Sequence, residues 1–111
     1  MTYPEIDAMI GEVGLPYAYY QFPETGQQPP FICWMLDGID DLYADNINYQ
    51  RIVVLAVELY TDEKDFEKEA AVEAVLAAQG LSYGKAEQYI DSERMHETVY
   101  TMEIVITEAT I

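Results

Sequence analysis

The sequence predicts an α+β domain of order α-β-β-α-β-β, a four-stranded, mainly antiparallel sheet with helices packed on one face. Three observations predict it. Residues 52–57 (IVVLAV) form an unbroken apolar run, rich in β-branched residues and too short for a helix. An acidic stretch with helical patterning follows at 61–80. The other strand-like runs pair with near neighbours through connections that suit hairpins. The 111 residues fit a single domain, 1–111.

The first element is a short helix over 2–11. Thr2 and Glu5 have capping-box spacing, and Pro4 is tolerated in a first turn. Ile6, Met9, Ile10 and Val13 make one apolar stripe. Gly11 and Gly14 then loosen the chain, and Leu15-Pro16 forces it extended. Tyr17 to Phe22 reads as a short extended segment, and 24–30 as a loop. FICWMLD, 31–37, is the next strand. Ile32, Trp34 and Leu36 share one face and Phe31, Cys33 and Met35 the other, so both faces are apolar. Residues 38–49 read as a long hairpin connection. Leu42, Tyr43, Ile39 and Ile47 give it an apolar content that predicts docking, on its own sheet or on a neighbouring copy.

The strand at 52–60 is also apolar on both sides, which predicts a central position with both faces covered. Thr61 and Asp62 offer N-cap oxygens for the helix after it, and Gly80 suits its left-handed end. Its acids, Glu63, Glu67, Glu69 and Glu73, read as a solvated face, with Lys64 and Lys68 making weak helical ion pairs. Residues 83–90 form a polar strand of edge character, and 91–94 a turn. The last strand, 95–107, has an inner set of Tyr100, Met102, Ile104 and Ile106. His96 reads as a partly exposed strand residue.

Composition narrows the function. Half of the residues are apolar, so a packed core is affordable. No apolar run approaches the roughly 20 residues a membrane helix needs, and the start of the chain lacks the pattern of a signal peptide. The net charge of −16 repels nucleic acid and anionic membranes. It suits solubility, a basic partner, or a passage that DNA traverses without sticking. Cys33 is the single cysteine and reads as a buried thiol. Asp37, Asp40, Asp41 and Asp45 do not have EF-hand spacing, and no catalytic, phosphate-binding or metal motif is present, so neither an enzyme nor a cofactor is expected.

The informative feature is surplus apolar surface. Two strands are greasy on both faces, and two short helices can cover one face of their sheet. Bare apolar surface favours association by about 25 cal/mol per Å². A second copy is the default partner, and head-to-tail contacts close rings. The contact candidates are Leu42, Tyr43 and Ile47 in the long connection, and Ile32, Trp34 and Leu36 on one face of 31–37.

Several stretches carry a resemblance. LPYAYYQFPE, the PPFI that starts a strand, YADNINYQRI, VELYTDEKDFEKEAAVEAVL and YIDSERMHETVYTMEI resemble the tail terminator, or tail-completion, family of tailed phages and prophages of Gram-positive bacteria. The likeness covers nearly the whole chain. It implies a homo-oligomeric ring, commonly a hexamer, that caps the tail tube and meets the head–tail connector while DNA passes through ungripped. It also implies a virion location, with assembly in the host cytoplasm. The competing expectation is an acidic binding module or inhibitor that occupies a basic, DNA-binding surface of a host protein.

Overall fold

The computed structural model describes residues 1–22, 26–39, 42–44 and 47–107, with 42–44 and 47–50 described by backbone alone. In chain order the elements are α1 (Tyr3–Gly11), β1 (Tyr17–Tyr19), β2 (Phe31–Ile39), β3 (Leu42–Ala44), β4 (Ile47–Thr61), α2 (Phe66–Ala78), β5 (Gly84–Ile90) and β6 (Met95–Ile106).

Local chemistry sets the helix ends. The Thr2 hydroxyl accepts from the Glu5 N–H at 3.2 Å, and Glu5 Oε1 accepts from the Thr2 N–H at 2.8 Å, a complete capping box for α1. The second helix starts later than the sequence suggested. Thr61 is still a strand residue, paired with His96, so Asp65 is the cap and accepts from the Lys68 N–H at 3.0 Å. At the far end Leu81 N–H donates to Leu76 C=O and Gly80 N–H to Ala77 C=O, with Gly80 at φ +70°. This is the paired-bond helix stop that glycine favours.

Five strands lie in the order β1-β2-β4-β6-β5, and β3 pairs with β4 off that path. The expected central strand is β4, and the expected polar edge is β5. The expected four-stranded antiparallel sheet needs correction. Ile32 N–H donates to Pro16 C=O at 2.9 Å, and the chain after Pro16 runs on beside β2 as a parallel edge strand, which makes the sheet mixed. Three residues are too short a run for periodicity to reveal.

Both helices lie on one face. Ile6, Met9 and Ile10 of α1 and Val72 and Leu76 of α2 form one core with Ile32, Trp34, Val53, Leu55, Val57, Leu59, Tyr100, Met102, Ile104 and Ile106. The expectation of cover on both sides of β4 is therefore half met.

The 38–49 segment is not the loop that was expected. After Ile39 the backbone continues into β3, whose pairing with the start of β4 aligns Leu42 with Gln50 and Ala44 with Ile47. The β4–β6 ladder stops at Arg51, so this stretch of β4 runs beyond the main sheet as a hairpin arm. Fifteen residues at about 3.3 Å each make β4 about 50 Å long, which matches the molecule's 50 Å long axis.

Candidate assembly surface

The register decides which face of β2 is available for contact. Ile32 stands opposite Leu59, Trp34 opposite Val57 and Leu36 opposite Leu55, all on the helix side. Ile32 is 0% exposed, and Trp34 is 6% exposed with Tyr19 edge-on at 4.7 Å. Ile32 and Trp34 are therefore committed to the chain's own core and have no surface to offer a partner. Leu36 packs against the same core. The sequence could not separate the two faces because Phe31, Cys33 and Met35 are as apolar as the set that packs under the helices. Leu42, Tyr43 and Ile47 lie on the arm, and their side chains fall outside the described residues.

The opposite face has no helix over it among the described residues. It carries Met35 of β2, Ile52, Val54 and Ala56 of β4, and Val99, Thr101, Glu103 and Val105 of β6. Val105 is 40% exposed. One end of this face meets the segment after β1. Phe22 packs edge-on against Phe31 at 5.4 Å, and Phe31 stacks on Tyr60 at 4.8 Å. Between them opens a groove of about 440 Å³, walled by Tyr20, Phe22, Phe31, Tyr60, Ile90 and Met95, with Cys33 also lining it.

Beside the groove sits a buried polar cluster that sequence reading missed. Tyr60 Oη lies 3.0 Å from Glu58 Oε1 and 2.7 Å from Glu97 Oε2. Gln88 Nε2 donates to Glu97 Oε1 at 2.6 Å. Glu97 is only 6% exposed. The alternating positions 58, 60 and 97 could have signalled it, had the β4–β6 register been known. Burial lifts the Glu58 carboxyl above its usual range, against the bond from Tyr60, and the charges of Glu97 and Asp37 add to the rise. Burial first, then the bond to Glu97, pushes the Tyr60 phenol far up. Burial, followed by the charges of Glu58 and Glu97, pushes the Cys33 thiol up to about 11. At neutral pH that thiol keeps its proton, so Cys33 is no nucleophile.

The helix side holds a second cluster with the opposite balance. Glu69, read from sequence as part of a solvated face, is 2% exposed. Its Oε1 takes Lys64 Nζ at 2.9 Å and Lys85 Nζ at 2.8 Å. Lys64 also reaches Glu87, and Lys85 also reaches Glu73, which accepts from the Tyr100 hydroxyl at 2.8 Å. Burial pushes the Glu69 carboxyl up, but Lys85 and Lys64 more than reverse that and hold it low. His96 is buried here at 8% exposure, between Thr61 and Tyr89 in register, with Nε2 3.3 Å from Glu87 Oε1; the expected partial exposure is corrected. These bonds fasten α2 to β5 and β6, a structural task. Among the described residues no group of three His, Cys, Asp or Glu is placed to hold a metal ion, and no helix is long and apolar enough to cross a membrane.

No protein-family model matches the chain, and no curated protein matches its sequence. The fold is similar to that of a chain in the solved virion of the native gene transfer agent particle. The TM-score is 0.66 at 12% identity, over 94% of this chain and 90% of that one. At that identity the likeness is one of fold.

Proposed function

We propose that the protein is a structural component of a phage-like virion, a tail terminator or tail-completion protein of the head–tail region. Copies associate into a ring, possibly a hexamer, that caps the tail tube and meets the connector, and DNA passes through the acidic assembly without being gripped. It works in the virion and assembles in the host cytoplasm. No catalysis is involved. The observation that carries this reading is the fold shared, over nearly its whole length, with a chain of a gene transfer agent virion. The helix-free sheet face and the arm beyond the sheet support it, because each offers surface to another chain. The arm residues Leu42, Tyr43 and Ile47 are the proposed contacts between copies.

Sedimentation velocity across micromolar concentrations, with and without tail tube protein, tests the proposal. A concentration-dependent or tube-dependent ring is expected. A monomer under every condition, with salt-sensitive capture of a basic host protein instead, would favour the inhibitor reading.

A further inference from the structure

We propose that the groove at the end of the helix-free sheet face is a docking site for an arginine-bearing segment of a basic partner protein, and not for a second copy of this chain. This inference stands apart from the ring proposed above, and either can fail alone.

Three observations lead there. The first is shape and lining. The groove of about 440 Å³ is walled by aromatic rings, with Phe31 stacked on Tyr60. Aromatic faces hold the flat guanidinium group and the aliphatic stem behind it. The second is a shortage of positive charge. The Tyr60 hydroxyl sits between two carboxylates and the Gln88 amide serves Glu97, and both of these donors are neutral. A guanidinium brings five N–H donors in a fork that matches a carboxylate. Cys33, in the groove, stands opposite Glu58 in register, which places the carboxylates beside the groove.

The third observation is sign. The chain's five Lys and Arg residues are Arg51, Lys64, Lys68, Lys85 and Arg94. Arg51 and Lys85 stand opposite Ile106 and Tyr100, at helix-side positions; Lys64 and Lys68 belong to the α2 end, and Arg94 to the β5–β6 turn. None occupies an open-face strand position, whereas Glu58, Glu97 and Glu103 do. A second copy carries the same net charge of −16 and brings mostly acid whichever surface it presents, which costs affinity, while a basic segment supplies the missing charge.

The test is fluorescence anisotropy with a labelled arginine hexapeptide and the full chain. Glu58→Gln with Glu97→Gln removes the cluster's charge while keeping its shape. Glu63→Gln with Glu67→Gln removes the same charge from exposed positions at the start of α2. The cluster variant is expected to weaken binding about tenfold or more, and the control less than about twofold. Bound peptide is expected to shift the ring proton resonances of Phe31 and Tyr60, two walls of the groove. If the cluster variant is unstable by thermal melting, Glu58→Gln alone supplies the comparison. Equal weakening by the two double variants would overturn the proposal, since it would mean diffuse attraction to net charge. So would Phe31 and Tyr60 resonances unmoved by peptide, or a dimer of the free protein that already covers them.

Discussion

The two faces of this sheet start from the same strands and nearly the same apolar content, yet they treat buried charge in opposite ways. On the helix side Glu69 is sealed in, and two lysines meet it within 3 Å. On the other side Glu58 and Glu97 are met by the Tyr60 hydroxyl and the Gln88 amide, both neutral, and no cation stands at a neighbouring strand position. The first face is finished within one chain. Among the described residues, the second is left without a cation at its acids and without a helix. A protein that works alone has little reason to keep such a face, because unpaired buried acid costs stability. That asymmetry is the physical ground for expecting another chain there.

Packing offers the largest expected effect. Leu55 and Val54 are adjacent in β4 and point to opposite faces. Leu55→Ala opens a cavity in a site with no exposure and should cost about 3 kcal/mol in urea denaturation. Val54→Ala, on the half-covered face, should cost under about 1 kcal/mol in the free protein. Equal costs would mean that the open face is already sealed. Next comes Glu69→Gln, which takes one carboxylate from two lysines and leaves Lys64 its bond to Glu87 and Lys85 its bond to Glu73. Each lysine keeps about a third of its side chain in water, at 31% and 34% exposure, so part of the loss is recovered by hydration. The expected cost is about 1–2 kcal/mol, well below that of a fully enclosed pair.

Most of the framework could be read from the chain alone, and the misses share a cause. Strands with unbroken β-branched runs and the Thr2–Glu5 box announce themselves through local chemistry. So does Gly80, whose left-handed φ ends α2. Register does not announce itself. From sequence Ile32, Trp34 and Leu36 read as contacts because their strand is greasy on both sides, but pairing with Leu59, Val57 and Leu55 places them under the helices. The same blindness hid the Glu58–Tyr60–Glu97 cluster, which joins residues 37 positions apart in sequence. It also hid the burial of Glu69, because Lys85 comes from a distant strand. The 38–49 stretch reads from sequence as a long hairpin connection, whereas the pairing of 42–44 with the start of β4 depends on the partner segment.

The smallest expected effect separates the faces most cleanly, because it differs in sign. Glu58 has its folded-state pKa raised above the ordinary value of 4.5, first by burial and then by Glu97 and Asp37, against the pull of the Tyr60 hydroxyl. Between 4.5 and the raised value the folded chain binds more protons than the unfolded one, so this group's contribution falls as pH rises. Glu69 is lowered below 4.5, because the bonds from Lys85 and Lys64 outweigh its burial. Its contribution is full above 4.5 and is lost as pH falls below it. Urea midpoints from acid to neutral pH, for the natural protein and for Glu58→Gln and Glu69→Gln, read both. The Glu58→Gln variant should gain on the natural protein as pH climbs above 4.5. The deficit of Glu69→Gln should shrink as pH drops below 4.5. If both differences stay flat across the range, the two faces handle charge alike, and the lack of a cation at the open-face acids loses its energetic meaning.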